Sequence, residues 1–139
     1  MAQSIREIMT ADPRTVESGA TVADAAREMR DGDVGSVVVV ENGGVAGIVT
    51  DRDIAVRVVA QGLDPDATRV GEVATMRPVT LTVDQSVDDA IRLVRGQDVR
   101  RIIVVQDGRA AGIVSLGDLA IERDTDSALA DIASEPPNT

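Results

Sequence analysis

The chain has no cysteine, no histidine and no Phe, Tyr or Trp, and all of its positive charge comes from arginine because lysine is missing too. Without cysteine no disulfide framework can form, and without Cys or His the usual ligands of zinc, haem and iron–sulfur sites are gone. A Cys nucleophile and a His base are excluded by the same absence. The lack of aromatic rings removes the stacking platforms on which single-stranded nucleic acid is usually held. A net charge of −10 repels a phosphate backbone, so no nucleic-acid partner is expected. The longest aliphatic run, Val37–Val40, is far too short to span a bilayer, and Met1–Met9 carries no apolar stretch like a signal peptide. The sequence therefore reads as a soluble, cytoplasmic protein with no membrane partner.

What is present is a repeat. Shifted by 65 positions, residues 5–55 align with 70–120 without a gap, and 20 of the 51 pairs are identical. Each copy ends in a similar phrase, Gly47-Ile48-Val49-Thr50-Asp51-Arg52-Asp53 and Gly112-Ile113-Val114-Ser115-Leu116-Gly117-Asp118. Two similar units in one chain of 139 residues set up a pseudo-twofold arrangement with the same residue types on both sides. At this length about two-thirds of the unfolded surface can be buried, and here the core must be built from Val, Ile, Leu, Ala and Met.

The order of elements is the same in both copies. Ser4-Ile5-Arg6-Glu7 reads as a capping box opening a helical turn that stops near Pro13. Thr15–Val16 is a brief extended piece. Thr21-Val22-Ala23-Asp24 is a second capping box, with Val22, Ala25, Ala26 and Met29 at helical spacing through Arg30. Ser36–Val40 is a β-branched run suited to a strand covered on both faces. Asn42-Gly43 supplies a hairpin turn with two positive φ angles, Val45–Val49 returns, and a helix runs from Thr50 to about Ala60, with Gly62 at its end. In the second copy Thr80–Leu81, a helix capped by Ser86 through Arg95, Ile102–Val105, the Asp107-Gly108 turn, Ala110–Val114 and a helix capped by Ser115 follow the same course. Each copy is thus β-α-β-β-α, a three-stranded sheet covered by two helices, and the fold class is α+β. The expected organisation is a first repeat over residues 5–62, a polar linker over 63–69, a second repeat over 70–124, and a C-terminal helix and tail over 125–139.

This tandem resembles paired CBS (cystathionine β-synthase) domains. The residues that carry the resemblance are the early Met-Thr or Thr-Met before Pro13 and Pro78, the stretch Asp98-Val99-Arg100-Arg101-Ile102-Ile103-Val104-Val105, and the terminal Gly-Ile-Val-Thr-x-x-Asp. It covers residues 5–123, with no catalytic, channel or transporter domain alongside, as in a stand-alone Bateman module. The resemblance implies that the repeats pack sheet to sheet, that an adenosine-containing ligand (AMP, ADP, ATP, S-adenosylmethionine or NAD) sits in the clefts between them, and that modules pair as a homodimer. It assigns ribose recognition to Asp53 and Asp118, with the Thr50 and Ser115 hydroxyls nearby, and backbone contact with adenine to Gly35, Ser36 and Val37.

Residue chemistry gives each of these a second explanation. Thr50/Asp53 and Ser115/Asp118, three apart at a helix start, are also ordinary capping boxes. A carboxylate there can accept from both ribose hydroxyls while the helix N-terminus favours a phosphate. Arg100 and Arg101 suit bidentate phosphate contact or a surface ion pair with a neighbouring Asp. Their counterparts Gly35 and Ser36 make the two clefts chemically unequal. Arg52 and Arg77 are weaker phosphate candidates. The pairs Asp31/Asp33, Asp64/Asp66, Asp88/Asp89 and Asp124/Asp126 lack calcium-loop spacing, and solvated turns account for them. No protein-made metal site and no required cofactor are expected, only Mg2+ carried by a nucleotide. No nucleophile–base pair or P-loop is recognisable, which leaves carboxylate-dependent catalysis without a positive sign, and the resemblance implies a regulatory sensor that signals to an effector protein, not an enzyme. The alternative is a ligand-free structural dimer or adaptor. The aliphatic positions Ile54, Val58 and Leu119 are candidates for the dimer face or for the core.

Overall fold

The computed structural model describes residues 4–97 and 99–123. The helix expected over 124–134, the tail beyond it, Asp98 and the Asp124/Asp126 pair lie outside the described residues.

The element order is α1 (Ile5–Ile8), β1 (Thr10–Ala11), β2 (Thr15–Glu17), α2 (Val22–Gly32), β3 (Ser36–Glu41), β4 (Gly44–Thr50) and α3 (Asp51–Asp53), which continues as a π-helical stretch over Ile54–Val59. There follow α4 (Val70–Val73), β5 (Thr75–Met76), β6 (Thr80–Thr82), α5 (Val87–Val94), β7 (Arg101–Gln106), β8 (Arg109–Ser115) and α6 (Leu116–Arg123). The α+β class expected from the sequence is what forms, but each sheet has four strands where three were read. Their orders are β2-β3-β4-β5 and β1-β8-β7-β6. Each fourth strand is two residues long and comes from the other repeat. Thr75 and Met76 pair antiparallel with Ile48 and Gly47, and Thr10 and Ala11 with Ile113 and Gly112. Two residues carry no periodicity, so only their pairing reveals them as strands.

This exchange gives two compact units. One is built on Asp12–Pro78 with Asp107–Ala110; the other joins the residues up to Ala11 to Val79–Gln106 and the stretch from Ala111 onward. In the first, Val70 N donates to Ala20 O at 2.8 Å and Gly71 N to Ser18 O at 3.0 Å. In the second, Ile5 N donates to Gln85 O at 2.8 Å and Arg6 N to Val83 O at 3.2 Å, so the same anchorage is made twice. Both anchors bury their first apolar residue completely. Val70 packs in a core with Val22, Met29, Val37, Val49 and Val58; Ile5 packs with Leu81, Val87, Ile102, Val114 and Leu119.

Gly47 and Gly112 permit the exchange. A Cβ on Gly47 would stand 2.6 Å from the Thr75 carbonyl oxygen, and one on Gly112 2.8 Å from that of Thr10. The repeated glycine before Ile-Val is therefore where the foreign strand crosses, beside the register shift between Val39 and Val40 in the first copy.

Local signals mostly form as read. Asn42 and Gly43 have φ of 53° and 81°, Asp107 and Gly108 54° and 78°, as a two-residue hairpin turn with both angles positive requires. Thr21 and Asp24 make a reciprocal cap, whereas Ser86 accepts from Asp89 N without the return bond, and the Asp89 carboxylate pairs with Arg92 as that of Asp24 pairs with Arg27. Four expectations fail. Ser4 makes no side-chain cap, and α1 ends at Ile8 rather than near Pro13 because the chain extends into β1. Ala26, at helical spacing, is exposed on α2. The helix after Thr50 is not α throughout: Ala60 N donates to Ala55 O at 2.9 Å and Leu63 N to Val58 O at 2.9 Å, five residues back. Val58 is fully buried there, while Val59 is 69% exposed. The linker is ordered, with Thr68 buried and its carbonyl accepting from Val22 N at the start of α2 at 2.9 Å.

Candidate ligand-binding site

The residues singled out by sequence fall into two half-sites, one in each unit. In the first, β4 runs into α3 at Thr50, whose extended backbone turns into the helix (φ −115°, ψ 163°). Asp53 N donates to Thr50 Oγ1 at 3.1 Å and Thr50 N to Asp53 Oδ2 at 2.9 Å, a reciprocal cap that satisfies two otherwise orphaned donors. Ser36 lies opposite Thr50 in the β3–β4 register, and Gly35 O accepts from Asp51 N at 3.0 Å. Gly35, Ser36, Thr50 and Asp53 are thus brought together at one strand-to-helix corner. The Val37 side chain belongs to the core, so only its backbone is available to anything outside.

The second half-site repeats this. Asp118 N donates to Ser115 Oγ at 3.0 Å, Ser115 N to Asp118 Oδ2 at 3.0 Å, and Leu116 N to Arg100 O at 2.8 Å. Both loop carbonyls are spent on tying the preceding loop to the helix start, and each cap carboxylate keeps its second oxygen out of the cap. Arg100 and Arg101 are exposed, and no ion pair to either is formed among the described residues. Arg52 is exposed, with its N–H on Asp51 Oδ1 at 2.8 Å. Arg77 is held at φ 56° before Pro78 with its N–H on Ala46 O, which makes it a backbone corner.

Sequence reasoning missed Arg57. Its Nε stands 3.8 Å from Asp53 Oδ1 and its Nη1 donates to Val73 O at 3.0 Å. The signal was available as the Asp53–Arg57 spacing of four on a helix. The Asp53 side chain is 16% exposed, well below the other acids in ion pairs. Among the described residues no cluster of three or more acidic side chains could hold a metal ion. The paired aspartates serve locally: Asp31 accepts from Arg30, Asp64 from Asp66 N. No described helix is long and apolar enough to cross a membrane. A concavity of about 420 Å³ opens between the end of α5 and the start of α6, lined by Ile91, Val94, Leu116 and Leu119; none of the site residues lines it.

A half-site of this kind, occurring twice in a β-α-β-β-α tandem, defines a class. The sequence model of the CBS domain matches residues 5–60 and 70–123, and the chain belongs to that family. It is 39% identical over 120 residues to the CBS domain-containing protein YhcV of Bacillus subtilis, covering 86% of this chain and 85% of that protein. Among solved structures it is similar to Hypoxic Response Protein I with two coordinated zinc ions, at 31% identity and a TM-score of 0.73 over 85% of this chain and 97% of that one. It is also similar to the hexameric CBS-CP12 protein from bloom-forming cyanobacteria, at 27% identity and a TM-score of 0.77 over 96% and 91% of the two chains. A CBS pair is a regulatory module that often binds ligands, and proteins made only of CBS domains are generally regulatory, not catalytic.

Proposed function

We propose that this chain is a sensor: an adenosine-containing ligand (AMP, ADP, ATP, S-adenosylmethionine or NAD) is held through its ribose by Asp53 and Asp118, and a partner protein reads the occupied state. The observation that carries this reading is the doubled corner, in which each cap leaves one carboxylate oxygen outside the cap, beside a helix start. Ribose hydroxyls are donors and a carboxylate is an acceptor with about four lone-pair sites, so cap and ligand can share it. Arg100 and Arg101 would take a phosphate, Gly35, Ser36 and the Val37 backbone would face the base, and Mg2+ would arrive only with a nucleotide. The same reading includes a cytoplasmic homodimer, which the hexameric relative supports only as self-association.

A ligand-free adaptor is favoured by one observation, that both carboxylates already satisfy backbone donors of their own helix. Thermal unfolding followed by circular dichroism separates the two, since the chain has no Trp or Tyr for fluorescence. A ligand at a hundred times its Kd adds about 2.7 kcal/mol and several degrees to the midpoint. A shift with one compound, lost when Asp53 and Asp118 are both changed to Ala, is the expected result. A shift that survives the double change, or none with any compound at millimolar concentration, overturns the sensor.

A further inference from the structure

The two half-sites share a cap but not its surroundings. Asp53 Oδ2 accepts from Thr50 N at 2.9 Å, and Oδ1 faces Arg57 Nε at 3.8 Å. Arg57 is kept there by its hydrogen bond to Val73 O, at the end of α4. In the other unit Asp118 Oδ2 accepts from Ser115 N at 3.0 Å, while Oδ1 has no partner among the described residues. The position that repeats Arg57 is Glu122, an acid. The cations of the second half-site stand on the loop before β7 instead, as Arg100 and Arg101, where the first has Gly35 and Ser36.

We propose that Arg57 is a positioning residue that ranks the two half-sites. A phosphorylated nucleoside fills the Asp118 half-site first, and the Asp53 half-site only when its hydroxyls displace the Arg57 guanidinium. This rests on the ribose-binding reading above. Two hydroxyl donors need free lone pairs on the carboxylate. Among the described residues Asp118 offers an oxygen without a competing cation, and Arg100 and Arg101, exposed on the loop before β7, are available for the phosphate. At Asp53 the same donors compete with a group that already points at that oxygen. Arg57 is half-exposed and 3.8 Å away, so the competition is modest. It amounts to about a two- to fivefold difference in Kd. Its consequence is larger than its size. Arg57 ties the Asp53 carboxylate to α4, the segment lent by the second repeat, so ligand at Asp53 loosens that tie. Among the described residues no side chain ties Asp118 to the Ile5 segment. The second ligand, not the first, therefore reaches the exchanged strand.

The test is calorimetric titration of the full chain with AMP, repeated with ATP. Wild type is expected to bind in two steps, the tighter lost in Asp118→Ala and kept in Asp53→Ala. In the Asp118→Ala background, Arg57→Gln should tighten the remaining step about two- to fivefold. Arg57→Lys, which keeps the charge but cannot bridge carboxylate and carbonyl with a planar fork, should fall between. A purely structural Arg57 would give the opposite sign, weaker binding together with a lower unfolding midpoint. Equal steps in wild type, or weaker binding in both Arg57 variants, overturns the ranking and leaves the sensor standing. No binding of either nucleotide by wild type overturns the ranking, and the sensor falls with it only when S-adenosylmethionine and NAD also leave the unfolding midpoint unmoved.

Discussion

The unit built on Asp12–Pro78 and the unit closed by Ile5 follow the same chain path with different surface chemistry. What the backbone itself demands is duplicated: the two hairpin turns, the two reciprocal caps, the crossing glycines, and the hydrogen bonds that seat Val70 and Ile5. What faces outward is not. The helix before the inner strand has 11 residues in α2 and 8 in α5, which stops before Gly96 at φ +83° where the first copy carries Asp31. Beyond the cap, the first copy continues as a π-helical stretch carrying Arg57 and the second as an α-helix. The difference teaches that the fold needs two equal frames, whereas the side chains set around them are free to differ.

The largest test of that equality is the pair of anchors. Ile5→Ala should cost about 2–5 kcal/mol and Val70→Ala roughly 2 kcal/mol, read from denaturant unfolding. An Ile5→Ala loss near zero would mean that the α1 segment is an accessory and the comparison breaks. Next come the crossing points. Gly47→Ala and Gly112→Ala should each destabilise by about 1–3 kcal/mol, because both methyls meet a backbone carbonyl that cannot swing away. A large difference between them would show that one edge strand is dispensable.

Smaller still, Thr50→Ala and Ser115→Ala should each lose about 1 kcal/mol of cap stabilisation, and the equality of the two is what thermal melts would check. The least effect belongs to Asp31, whose carboxyl is held below its ordinary value of 3.8 by a hydrogen bond from the Arg30 guanidinium. A lowered folded pKa stabilises above the unfolded value and fades as pH falls through the lower one. Asp31→Asn should therefore change the midpoint slightly or not at all at pH 7, with any difference vanishing at strongly acid pH. The repeat counterpart, Gly96, has no group to titrate.

Wherever one short stretch dictates its own geometry, the sequence was sufficient. Asn42-Gly43 and Asp107-Gly108 specify their turns, Thr21/Asp24 and Thr50/Asp53 their caps, and Val37–Val39 their burial. The candidate half-sites were legible as corners because Thr50 and Asp53 lie only three apart. The errors arose where geometry depends on a distant partner. Thr10–Ala11 and Thr75–Met76 become strands only because Gly112 and Gly47 leave room for them. Ser4 is bridged to Ser86 and makes no cap. Of the two partners of Arg57, Asp53 was legible at a spacing of four, while the Val73 carbonyl, 16 residues away, was not.

The exchanged segments also set an order of events at birth. Ile5 is translated early, yet its seat includes Leu81, Ile102 and Val114. At ordinary synthesis rates some 110 further residues take on the order of 5–20 s to appear. The unit around Asp12–Pro78 has nearly all of its core by residue 74 and can close first. A nascent chain thus holds the Ile5 segment without its seat until Val114 has been made.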